Sequence, residues 1–170
     1  MEICGHFLSK IITMNKNLEE IFKKDQKDRF NPLFNKMPEF FIKRDAARKN
    51  KIKEMFKKGI LKTGRDYYIA AMIFHHGLNI SDAKKAVDFS QRSFNLGYGK
   101  ARWLYAAAID RLLMKKKKKQ KFGTQFFKKT SKSKWILYPI DPKTTDAERV
   151  QFNVPSLEEM KRMVKKLNRK

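Results

Sequence analysis

Residues 66–77, DYYIAAMIFHHG, and residues 101–112, ARWLYAAAIDRL, decide how this chain folds. A shift of 36 residues lays Ala70-Ala71-Met72-Ile73 on Ala106-Ala107-Ala108-Ile109. Small side chains at such positions let helix axes approach to about 8 Å. Between the two stretches, Ser81-Asp82 reads as the cap of another helix, carrying Ala83, Ala86, Val87, Phe89 and Phe94 and stopping at Gly97. Small-apolar helix, Gly, capped helix, Gly, small-apolar helix is the pattern of helix-pair repeats of the tetratricopeptide and Sel1-like kind. One and a half repeats cannot form a solenoid, so the pattern predicts a compact helical domain with one repeat-like unit inside.

Further helices are expected on either side. Asn17-Leu18-Glu19-Glu20 opens one in capping-box style, with Leu18, Ile21, Phe22 and Phe30 on its apolar face and Asn31-Pro32 as its end. A second is expected over 39–58, with Phe41, Ile42, Ala46, Ile52, Met55 and Phe56 on its apolar side and Gly59 as its stop. Thr63-Gly64-Arg65-Asp66 caps the helix of the first quoted stretch. The helix over 99–114 is apolar on most sides, which predicts a central position. Trp135 to Ile140, bounded by Pro139 and Pro142, reads as a short extended segment. Pro155 followed by Ser156-Leu157-Glu158-Glu159 begins a C-terminal helix. The expected fold class is all-α, with about six helices.

The chain has 170 residues, enough for one domain, and its fourteen Phe and two Trp supply bulky core material. Residues 15–170 are expected to form that domain, with a basic loop at 115–134 and residues 1–14 as a loosely held N-terminal extension. No apolar run reaches the roughly 18 residues of a membrane span, and no secretory leader is expected. The single cysteine, Cys4, rules out an intrachain disulfide and a multi-cysteine zinc site, and fits a reducing, cytoplasmic setting.

Charge is the strongest compositional signal. Lys and Arg number 41 against 17 Asp and Glu, a formal excess of 24. Residues 111–140 hold eleven basic side chains and no acid. Lys115, Lys116, Lys117, Lys118, Lys119, Lys128 and Lys129 are therefore candidates for binding nucleic acid or another polyanion by counterion release. A solvated lysine face with no partner remains the alternative, since Lys is a poorer phosphate fork than Arg.

The same shift of 36 places Phe74, His75 and His76 over Asp110, Arg111 and Leu112. Equivalent helices of adjacent repeats stack side by side, so His75 and His76 are expected near Asp110 and Arg111. The loop Gln120-Lys121-Phe122-Gly123-Thr124-Gln125 should reach the same end. His76 and Asp110 are the expected acid/base pair. Arg111 and Lys121 are the expected anion clamps. His75, Gln120, Gly123, Thr124 and Gln125 complete the expected ligand site, Gly123 by admitting a close backbone approach and Thr124 by its hydroxyl. Each has a structural alternative, such as capping a helix dipole or satisfying loop backbone. No metal is expected, because adjacent His75 and His76 point about 100° apart on a helix. No cofactor is expected either, since there is no Gly-rich phosphate loop and no nucleophile elbow. Asp25 with Arg29, and Asp45 with Arg48, are spaced as surface pairs that matter only if they point into a pocket.

These elements resemble an uncharacterised, mostly bacterial domain-of-unknown-function family. The resemblance rests on Asp25-Gln26 with Arg29, on Asp66 to Gly77, on Ala101 to Arg111 and on the Gln120–Gln125 loop. Thr145, Asp146, Ala147 and Arg149 with Asn153-Val154-Pro155 look like its closing motifs. It covers roughly residues 17–158. His75 stands where that pattern has Gln, and Lys115 to Lys119 replace a shorter, less charged turn. The resemblance implies a helical fold and a set of polar positions, but no reaction.

Overall fold

The computed structural model describes residues 15–34, 36–130 and 132–169; the expected N-terminal extension, with Cys4, lies outside them. The first five helices are α1 (Lys16–Arg29), α2 (Pro38–Lys57), α3 (Gly64–His75), α4 (Ile80–Asn95) and α5 (Ala101–Lys115). A two-stranded antiparallel ribbon follows, pairing β1 (Phe126–Phe127) with β2 (Ile136–Leu137). The chain closes with α6 (Asp146–Gln151) and α7 (Leu157–Leu167). The protein is mainly α-helical, as the patterning predicts. Among the described residues no helix is long and apolar enough to cross a membrane.

Helix α3 is the hub. It packs on α1, α2, α4 and α5, and Ile69, Ala70, Ala71, Ile73 and Phe74 are all sealed from solvent. Phe74 meets Phe89 of α4 with ring centroids 5.6 Å apart. Each such ring contributes about 1.5–3 kcal/mol by leaving water. Helix α5 is apolar on opposite sides because it lies between two clusters. Leu104 and Ala108 belong to the main core, whereas Ala106 packs with Phe122 and Val154 in a second, smaller one. Trp103 is the exception on this helix, at 41% exposed.

Several boundaries differ from expectation. Asn15, not Asn17, caps α1 by accepting from Leu18 N, and Asn79, not Ser81, caps α4 by accepting from Asp82 N. Phe30 lies beyond the end of α1 and is exposed, and Ile42 faces outward from α2. Helix α6 and strand β1 were not expected; α6 carries a full Thr145–Glu148 capping box. The expected basic loop at 115–134 is therefore partly regular, beginning inside α5 and containing β1.

Candidate functional site

The shift of 36 residues holds at atomic level. Arg111 Nη1 donates to the carbonyl oxygen of His75 at 2.8 Å, which fixes the C-terminal end of α3 beside α5. Arg111 Nε donates to Gln125 Oε1 at 3.1 Å, so the 120–125 loop braces the guanidinium from its other side. Nη2 of Arg111 has no hydrogen-bond partner among the described residues.

Asp110 does something else. Successive residues on a helix point about 100° apart, so Asp110 faces away from α3. Its carboxylate accepts from Lys121 N, Phe122 N, Thr124 N and Thr124 Oγ1, all within 2.9 Å. It is fully buried, and burial pushes its pKa above the ordinary carboxylate range although the four donors pull the other way. The expected His76–Asp110 pair does not form, because the Asp110 oxygens are occupied in folding the loop.

The rest of the loop is equally self-contained. Gln120 is buried and donates to the carbonyls of Gln125 and Tyr138, while its Oε1 accepts from Gln125 N. Gln125 Nε2 donates to Ala107 O and to Thr124 Oγ1. Gly123 has φ +91°, and the space a side chain would enter is occupied by Ile140, 3.2 Å away. The close backbone approach expected at Gly123 is thus made by Ile140. Lys121 turns outward to Glu148, 3.4 Å away. Arg149, buried and donating to Phe122 O, Thr144 O and Asp146 Oδ1, ties the loop to α6. Gln120, Thr124 and Gln125 support Arg111 and do not open to a cavity.

His76, the C-cap of α3, instead faces Asp25 of α1. Its Nδ1 lies 3.2 Å from Oδ1 and 3.0 Å from Oδ2. Asp25 is fully buried and also accepts from Arg29 Nη2 at 2.9 Å. Burial is the largest influence on Asp25 and raises it, but His76 and Arg29 together hold it below the usual carboxylate range. Arg29 Nη2 reaches on to Asp45 at 2.5 Å, and Arg48 pairs with both Asp45 and Asp28. Arg44 also donates to Asp28, at 2.8 Å. The pairs expected on the surface of α1 and α2 are therefore an interior network between those helices. Their i, i+4 and i, i+3 spacings were the only local signal, and both are shared by ordinary surface pairs.

His76, Arg111, Arg29 and Asp45 line one side of a cavity of about 440 Å³. Arg111 there is a partly buried cation whose acidity is increased by burial first and by the positive charge of Arg29 second, with no carboxylate opposing either. His75 points elsewhere. It is buried, its Nδ1 is unpartnered, and burial together with Arg111, His76 and Lys115 holds it well below the ordinary imidazole value. Among the described residues no group of three or more His, Cys, Asp or Glu side chains is placed to hold a metal ion.

The lysine block divides. Lys115 is partly buried and donates to the carbonyl of Leu78, whereas Lys116, Lys117, Lys118 and Lys119 are exposed. Lys118 and Lys119 flank an open cleft of about 450 Å³ together with Lys121 and Lys143. Lys128 lies over the Trp135 ring, 5.2 Å from its centroid, and Lys129 is exposed. No family model, curated protein or solved structure matches this chain.

Proposed function

We propose that the protein binds, and processes, a small anionic ligand in the cavity between α1, α2, α3 and α5. Arg111 is the observation that carries this reading. A guanidinium withdrawn from water normally finds a carboxylate, and this one meets only neutral acceptors and a second guanidinium. The local charge agrees. Of the charged residues that line the cavity, Arg29 and Arg111 stand against Asp45, two cations against one carboxylate. An anion between Arg111 and His76 balances that excess, and Arg111 Nη2 is free to receive it.

His76 supplies the chemistry. Its Nδ1 faces the Asp25 carboxylate while the residue lines the cavity, where an imidazole can take or give a proton. Asp25 thus takes the role expected for Asp110. Asp25, Arg29, His76 and Arg111 are also positions that carry the family resemblance.

Inorganic phosphate is the first probe, read by calorimetry and by thermal unfolding. The native chain should bind it, and Arg111→Gln and His76→Ala should not, while Lys116→Ser with Lys119→Ser binds normally. Equal binding by native and Arg111→Gln chains, with native circular dichroism, overturns the assignment.

A second reading is supported by the exposure of Lys116 to Lys119 beside a cleft that Lys121 and Lys143 share with Asp141 and Glu148. There the protein is a non-enzymatic module that holds nucleic acid or another polyanion. Binding of single-stranded RNA should then weaken steeply with salt and on neutralising Lys116 to Lys119, and be indifferent to His76→Ala.

A further inference from the structure

We infer that the ligand of the His76–Arg111 cavity is an amphiphilic anion, a phosphate, phosphonate or carboxylate carrying an aromatic or acyl body; this rests on the anion-binding reading above. The inference comes from the apolar wall of the same cavity. That wall is built by Phe34 and Pro38 of the α1–α2 connection and first turn of α2, Phe41 and Ile42 of α2, and Leu78 of the α3–α4 link. Nothing polar is offered there.

Two features show that this wall is more than core seen from outside. Leu78 is 67% and Ile42 44% exposed, and both line the same half-open cavity. Scattered apolar side chains on a surface need no explanation, but several converging on one opening mark a binding site. The wall is also organised. The Phe34 and Phe41 rings lie 5.0 Å apart, and the Arg29 guanidinium stands 5.0 Å above the Phe34 ring. That stacking holds an aromatic face and a cation side by side at the cavity edge.

Size leads to the same ligand class. A phosphate has the bulk of a few water molecules, each occupying about 30 Å³ in the liquid. It fills a small part of a cavity of about 440 Å³. With its oxygens between Arg111 Nη2 and His76, the remaining space adjoins the apolar wall. A ring or short acyl chain placed there leaves water at no cost in unpaired polar groups. An ion without such a body leaves the wall wet.

The test separates the body from the charge by holding the charge constant. Methylphosphonate, phenylphosphonate and hexylphosphonate carry the same anionic group and differ in apolar area. Calorimetry on the full chain should show phenyl- or hexylphosphonate binding at least about tenfold more tightly than methylphosphonate. The exposed positions allow variants that do not threaten the fold. Ile42→Ser combined with Leu78→Ser should abolish that gain and leave methylphosphonate affinity unchanged. Equal affinities for the three probes, or a gain that survives the double variant, overturn the amphiphilic class while the anion site stands. Failure of all three to bind overturns both. Vesicles of phosphatidylcholine with and without phosphatidic acid distinguish the source. Sedimentation with phosphatidic acid that the double variant loses assigns the anion to a lipid headgroup, and sedimentation indifferent to the variant assigns it to a soluble phosphate ester.

Discussion

His76 sets its Nδ1 3.0 Å from Oδ2 of Asp25, joining the end of α3 to a buried carboxylate of α1. The same carboxylate receives Arg29 and Gln26, so three neighbours depend on its charge. Asp25→Asn should therefore cost about 3–5 kcal/mol, the range for breaking a buried pair and leaving its partner uncompensated. Urea unfolding at neutral pH measures it. The pH dependence has a definite sign. The folded value of Asp25 lies below the unfolded one, so its stabilisation is present above about pH 4 and disappears as pH falls through the folded value. The variant should show a shallower acid limb than the native chain.

His75 predicts loss of stability in a milder acid range. Burial, with Arg111 and Lys115 as positive neighbours, keeps it neutral in the fold, whereas an unfolded histidine takes a proton below about pH 6.5. The unfolded state thus binds more protons as pH falls, and stability declines by up to about 1.4 kcal/mol per pH unit below that point. His75→Gln removes the titrating group and, if its amide fits the space, keeps stability near the native value at about pH 8. Denaturation midpoints compared at about pH 8 and pH 5.5 should converge for the variant and diverge for the native chain. Parallel declines for the two proteins would show that other groups carry the acid sensitivity.

Asp110 separates a structural carboxylate from a catalytic one. Asp110→Asn turns an amide toward three backbone N–H groups, and should destabilise by at least about 3 kcal/mol through unmet buried donors. Thr124→Val removes one hydroxyl from the same set, at about 1–2 kcal/mol. Because neither group borders the cavity, a folded Thr124→Val chain should bind phosphate with native affinity. A loss of binding without a loss of stability would return this loop to the site.

Much of this was legible in the residues, and the exceptions have physical causes. The Thr63–Asp66 and Ser156–Glu159 capping boxes locate the first residues of α3 and α7. At α1 and α4 two eligible caps stand two residues apart, a choice that local residue type leaves open, and the earlier Asn is the cap in both. The repeat shift placed Arg111 against His75, since helix stacking follows from small residues at matching positions. It could not assign Asp110, because a neighbour on the same helix points into a different environment. Asp25 and Arg29 were hidden for a related reason. A spacing of four residues is identical on a solvated face and on a buried one, and only the approach of α1 to α3 distinguishes them.

Lys117 offers a prediction on the basic turn itself. Its φ is 57°, in the left-handed region, where α5 ends and Lys118 N bonds back to Leu113 O. That conformation costs a residue with a Cβ about 1–2 kcal/mol. Glycine adopts it freely but loses about 0.5–1 kcal/mol more chain entropy on folding. The difference leaves Lys117→Gly more stable by up to about 1.5 kcal/mol, although it removes a lysine. Thermal unfolding in low and high salt distinguishes backbone relief from charge relief. Stabilisation that persists in high salt comes from the backbone, and stabilisation that vanishes there comes from thinning the crowded cations. Under the polyanion reading, Lys117→Gly should also weaken RNA binding while leaving phosphate binding at His76 and Arg111 untouched.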